Sequence, residues 1–205
     1  RLRKLGELRA LGVDPYPARA KRTHNISEVL EGFDRLQGQD VSVVGRIVSI
    51  RSFGKLAFIK LRDESGEVQL YLQKDGVAEL DAALGVLGMK QLKLLDTGDF
   101  IQATGQMTTT QTGEKSVGVR ELRLLTKALR PTPTELTNKE ERMRRRYLDM
   151  SVNEDVRQRF IRRAKFWQAT RDFLNQHGFT EVNTPVLEHT TGGADANPFT
   201  THMDA

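Results

Sequence analysis

The sequence predicts an α+β chain that is mainly β at its start: a five-stranded barrel with short helices, leading into the opening of an α+β domain. Three observations predict it. Residues 41–50 carry β-branched side chains on both faces, two alternating runs flank Asp63-Glu64-Ser65-Gly66, and a long helical pattern begins only beyond Pro131 and Pro133.

Element by element, Leu2, Leu5, Leu8 and Leu11 recur at helical spacing, and Gly12 followed by Asp14-Pro15 stops that helix. Ser27, just before Glu28-Val29-Leu30, is the expected N-cap of a second short helix. Residues 41–50 form the first strand. In the run before Asp63, Ala57, Ile59 and Leu61 share one face, while Leu56, Phe58, Lys60 and Arg62 share the other. In the run after Gly66, Val68, Leu70 and Leu72 oppose Gln69, Tyr71 and Gln73. With the uniformly apolar faces inward, Phe58 and Gln69 stand on the outer surface, Phe58 in line with two cations. The opposite assignment would make Phe58 a core residue.

Residues 77–95 have helix-forming composition despite Gly85 and Gly88, and are expected as an irregular helix. Residues 100–107 and 115–125 read as two more strands joined by a turn at Gln111-Thr112-Gly113. Five short strands with a helix between the third and fourth are the layout of an OB-fold, a Greek-key barrel that often binds oligonucleotides on its outer face; other small barrels share that layout. Pro131-Thr-Pro-Thr134 is a linker. Phe160, Ala164, Trp167 and Leu174 then mark one helical face, Gly178 closes the helix, and residues 179–187 are extended, with Pro185 keeping them irregular.

The chain has 205 residues and no cysteine, which excludes a disulfide framework, a thiolate zinc site and a cysteine nucleophile. Its hydrophobic share is 38%, with no apolar run near the roughly 18 residues of a membrane span, so no membrane role is expected. It opens on Arg1, and is expected to be a piece of a longer protein. The four histidines are scattered, so no metal site is expected. The net charge is +5, with arginines gathered at 142, 144, 145, 146, 157, 159, 162 and 163, either a field for polyanions or a solvated face.

An exposed aromatic beside cations is a stacking platform for an unpaired base. Gln69 can donate to and accept from a base edge, and Glu114, at a hairpin tip, can accept from an amino or imino group.

The segment Gly178-Phe-Thr-Glu-Val-Asn-Thr-Pro185-Val-Leu187, preceded by a long helix, resembles the first signature motif of class II aminoacyl-tRNA synthetases. Leu11-Gly-Val-Asp-Pro-Tyr-Pro17, Arg22-Thr-His24, Leu124-Leu-Thr-Lys-Ala-Leu-Arg-Pro131, Arg146-Tyr-Leu-Asp149 and Gly192-Gly-Ala-Asp-Ala-Asn-Pro-Phe-Thr-Thr-His202 narrow the resemblance to bacterial-type class II lysyl-tRNA synthetases, in the family's order along nearly the whole chain.

That resemblance implies a helical arm over residues 1–36, an OB-fold anticodon-binding domain over 37–130, a linker over 131–150, and the beginning of a catalytic domain over 151–205. It implies that Phe58 stacks on the central anticodon uridine, that Gln69 and Glu114 read it, and that Arg51 contacts the anticodon loop. The loop at Gly192, Gly193 and Ala194 would close on lysine, and Gly178 and Pro185 would mark a homodimer interface. The implied activity is ATP-dependent attachment of lysine to lysine tRNA through a lysyl-adenylate, in the cytoplasm, with ATP and Mg2+ in the full-length enzyme. Two departures stand out. Asn197 replaces the family's usual arginine before Pro-Phe, and the second and third class II motifs, which bind ATP and magnesium, lie outside these residues. No cofactor and no catalytic residue are therefore expected in this fragment, which alone should be inactive. The alternatives are a stand-alone OB module that grips single strands, a synthetase-like half joined to a lipid-lysylating membrane protein, and a sister synthetase for aspartate or asparagine.

Overall fold

In α1 (Leu2–Ala10), Leu5 and Leu8 turn inward, and Gly12 at φ +76° ends the turn after it, a conformation that costs glycine little. The computed structural model containing it describes residues 1–186, 197, 199, 201 and 202, and the chain divides into two units, Arg1–Thr134 and Glu135–Ala205.

Helix α2 (Ile26–Glu31) is capped by Asn25 rather than Ser27. The Asn25 Oδ1 accepts from the Glu28 amide at 3.0 Å and Glu28 Oε2 accepts from the Asn25 amide at 2.8 Å, a reciprocal capping box. Ser27 already lies inside the helix, its hydroxyl donating to Asn25 Oδ1 at 3.0 Å. Asn25→Ala is therefore expected to cost about 1 kcal/mol and Ser27→Ala only a few tenths, read as shifts in urea midpoint. Helix α3 (Phe33–Leu36) follows.

The strands are β1 (Asp40–Phe53), β2 (Leu56–Arg62), β3 (Glu67–Gln73), β4 (Phe100–Thr109) and β5 (Lys115–Thr126). They close in the order β1-β2-β3-β5-β4, with β3 parallel to β5 and every other pair antiparallel. Closure gives every strand two neighbours, with β3 and β5 meeting over Gln69–Tyr71 and Ser116–Gly118. The expected inward residues are inside: Ala57, Ile59, Leu61, Leu70 and Leu72 are all fully buried. Residues from 1–36 join the same core, since Leu8, Val13, Ile26, Val29, Phe33 and Leu36 pack in one cluster with the barrel interior. The β2–β3 turn is held by Asp63, whose Oδ1 accepts from the Ser65 and Gly66 amides and whose Oδ2 accepts from the Ile26 amide. Partial burial opposes its ionisation, but a hydrogen bond from the Ser65 hydroxyl at 2.7 Å and these amide bonds outweigh that and hold its pKa below the usual carboxylate value.

The helix expected over residues 77–95 is not formed; its only regular part is a 3-10 helix at Met89–Leu94. The reason is a competing backbone partner. Ala78 and Leu87 amides donate to the carbonyls of Arg120 and Leu122 on β5, and Gly85 at φ +69° turns the chain between them. A buried ionic cluster lies beyond this segment: Lys127 Nζ sits 2.7 Å from Asp99 and 2.5 Å from Asp96, and Lys4 reaches Asp96 at 2.8 Å.

Residues 131–150 carry more order than a linker: two helices of the second unit, α4 (Lys139–Arg144) and α5 (Arg146–Val152), lie largely within them. Asp149 is buried between Arg142 and Arg146, both at 2.9 Å, and accepts from Asn153 Nδ2 at 2.7 Å. Burial alone would raise its pKa; the Asn153 and arginine contacts win and lower it. Helix α6 (Glu154–Gln176) ends at His177, and Gly178 at φ +81° turns the chain out of it. Residues 179–186 have no regular secondary structure.

Candidate nucleic-acid interface

The register of three strands builds the outer face in rows, because residues directly opposite in neighbouring strands share a face. Arg51 lies opposite Phe58, and Phe58 opposite Tyr71. One row over, Lys60 lies opposite Gln69, and Gln69 beside Ser116. Phe53, Leu56 and Gln73 form the third row, at the tip of the β1–β2 hairpin.

Three rings make a ledge here. Phe58 meets Tyr71 at 5.5 Å between centroids and Phe53 edge-on at 6.4 Å and 65°. Phe53 is 63% exposed, Phe58 and Tyr71 half-buried, so the rings brace one another while leaving aromatic surface open to solvent. Such a surface stacks a base whatever its identity.

Identity must come from polar groups beside it. Gln69 Nε2 donates to Ser116 Oγ at 3.1 Å, and Ser116 Oγ donates to the Glu114 carbonyl at 3.2 Å. This chain of bonds fixes the Gln69 amide and leaves its carbonyl oxygen to accept from a base edge. The Thr110 amide donates to the Glu114 carbonyl at 3.0 Å, closing the turn that presents the exposed Glu114 carboxylate. Arg51 is exposed beside the ledge; Lys60 is held by Glu67 at 2.7 Å.

Phe58, Gln69, Glu114 and Arg51 thus stand on or at the rim of one barrel face. Two further residues of that face, Phe53 and Tyr71, were not among the sequence candidates. Tyr71 carried the signal, since it alternates with Leu70 and Leu72; Phe53 lies beyond the expected end of the first strand.

Elsewhere the arginine field is largely matched by carboxylates. Arg142 and Arg146 pair with Asp149, Arg144 with Glu140, Arg145 with Glu141, Arg157 with Glu154 and Arg159 with Asp155. That favours the solvated-face reading for this segment. Among the described residues no group of three or more His, Cys, Asp or Glu could hold a metal ion, and no helix is long and apolar enough to cross a membrane. Gly192, Gly193 and Ala194 lie outside the described residues. Gly178 and Pro185 border exposed apolar side chains in the second unit, where Phe166, Trp167, Phe173, Phe179 and Val182 are each about half or more exposed.

Residues 41–125 match the family described as OB-fold nucleic acid binding domain, and residues 138–205 match the class II tRNA synthetases for D, K and N. Fold and site together define a nucleic-acid-binding barrel joined to the start of a class II synthetase domain. Over 98% of its length the chain is 47% identical to the lysine–tRNA ligase of Roseiflexus castenholzii, covering 41% of that protein. It is 41% identical over its whole length to the lysine–tRNA ligase of Carboxydothermus hydrogenoformans, covering 41%, and 44% identical to that of Chloroflexus aurantiacus, covering 42%. The chain belongs to the lysine–tRNA ligase family, and spans about two fifths of the length of the relatives it matches.

Proposed function

We propose that this chain is the tRNA-reading part of a cytoplasmic enzyme that attaches lysine to lysine tRNA through a lysyl-adenylate. The observation that carries the reading is the outer barrel face, where a ring ledge, a fixed amide and a carboxylate stand together. Phe58 stacks the central anticodon uridine, Gln69 and Glu114 test its edge, and Arg51 draws the loop phosphates. Residues 37–130 form the anticodon-binding domain. Residues 151–205 begin the catalytic domain, with the apolar residues around Gly178 and Pro185 covered in a homodimer; exposed patches of this kind mark interfaces. Gly192, Gly193 and Ala194 close on the lysine substrate.

ATP and Mg2+ belong to the reaction of the whole enzyme. Among the described residues no group of three or more His, Cys, Asp or Glu stands together to hold Mg2+.

Charging assays with the full-length protein test the proposal. Lysine should be transferred to lysine tRNA, and changing its central anticodon uridine to cytidine should lower kcat/KM roughly 5- to 150-fold, as one misread base costs. Failure to charge lysine tRNA would overturn the synthetase reading; equal charging of both tRNAs would overturn the anticodon reading.

A further inference from the structure

A cleft of about 740 Å³ opens between the tip of the β1–β2 hairpin and the 3-10 helix. Its floor is apolar, made by Ile50, Leu56, Met89 and Leu92. Its rim is cationic, with Lys74, Lys90 and Lys93 all exposed. A fourth lysine, Lys4, is occupied by Asp96, the single carboxylate among the lining residues.

The period of the 3-10 helix explains this division. At three residues per turn, positions i and i+3 stand in line, so Met89 and Leu92 form one row and Lys90 and Lys93 the next. In an α-helix the same pair would share a face but be offset by about 60° rather than aligned. The irregular fold of residues 77–95 therefore creates an ordered cationic edge.

We infer that this cleft is a second RNA site, which takes the sugar–phosphate backbone of the strand leaving the aromatic ledge. Continuity argues for RNA. Leu56 lies opposite Phe53 on the ledge and also lines the cleft, while Ser52 and Gly54, the neighbours of Phe53, line it too. A strand stacked on Phe53 and Phe58 needs only to pass the hairpin tip to enter. The chemistry agrees: a phosphodiester chain offers anions to the rim, and its sugars and bases offer apolar surface to the floor. The inference rests on the ledge being the anticodon reader.

The test uses full-length protein with Lys90→Glu/Lys93→Glu, and with the milder Lys90→Gln/Lys93→Gln, whose exposed positions should leave thermal unfolding unchanged. Two lost phosphate contacts should weaken binding of a lysine tRNA transcript about tenfold and flatten the slope of log affinity against log salt by about two. A uridine trinucleotide, long enough only for the ledge, should bind all three proteins equally. An unchanged transcript slope, with Phe58→Ala still weakening binding, would overturn the cleft and leave the ledge standing. If Phe58→Ala were also silent, the ledge reading would fall with it. Equal weakening on the trinucleotide would overturn the inference by showing that the substitutions disturb the ledge. Protection of these lysines from acetylation by tripolyphosphate but not by the transcript would assign the cleft to a small phosphate compound, against the inference.

Discussion

Replacing Lys127 by alanine is expected to lower the unfolding free energy by roughly 3–5 kcal/mol, the cost of leaving a buried carboxylate without its cation. Lys127 is 1% exposed and Asp99 0%. Asp99 cannot relax into water, because its two oxygens also accept from the amides of Ala128 and Asp96, both at 2.8 Å. Around this pair the fold is tied at three places: Lys4 brings in α1, Tyr16 Oη donates to the Lys127 carbonyl, and Arg1 donates to the carbonyls of Thr97 and Ala128. Urea denaturation of wild type and Lys127→Ala measures the loss. Lys127→Met with Asp99→Asn should recover part of it, since removing both charges leaves none uncompensated. Equal stability of wild type and Lys127→Ala would show that the cluster hydrates without cost.

The same cluster fixes an acid limit. Burial of Asp96 favours its neutral form, but hydrogen bonds and charge from Lys127 and Lys4 outweigh that and depress its pKa. A depressed carboxylate pKa contributes stability above the unfolded value of about 3.9, and that contribution is lost as pH falls through the folded value. Wild type should hold its stability down to about pH 4 and lose it below. In Lys127→Ala the Asp96 pKa rises toward its unfolded value, so this loss should be smaller and be complete at a higher pH than in wild type.

Local signals made much of this fold legible, and long-range ones did not. Ala57, Ile59 and Leu61 announce their own inward face, which places Phe58 outside before any partner strand is known. The cap of α2 failed for a tertiary reason. Asp63 and Ser65 take the amides of Ile26 and Ser27, both at 2.9 Å, so the helix can begin before Ser27. Residues 77–95 misled for a similar reason, since their backbone partners are on β5, far along the chain. At the site, Gln69 and Glu114 could be chosen as polar outward residues, but the hydroxyl of Ser116 that links them depends on the parallel pairing of β3 with β5.

Phe58→Ala should weaken binding of the lysine tRNA anticodon stem-loop roughly 5- to 150-fold, the equivalent of about 1–3 kcal/mol for one stacked base. The size follows from the position of the ring. Phe58 is the middle member of the ledge, in contact with both Phe53 and Tyr71, so its removal takes away a platform and the brace of two neighbours. Discrimination against a cytidine at the central position should fall with it, because Gln69 and Glu114 can test a base edge only while the base is held in plane. The salt dependence should stay as it was, since the ring carries no charge. Arg51→Ala should do the reverse: weaker binding to both loops and a slope reduced by about one. Phe58→Tyr keeps a stacking face and should retain both affinity and discrimination. If Phe58→Ala left discrimination intact, the base would be held by hydrogen bonds alone; if it altered the salt slope, the loop would be sitting elsewhere on the barrel.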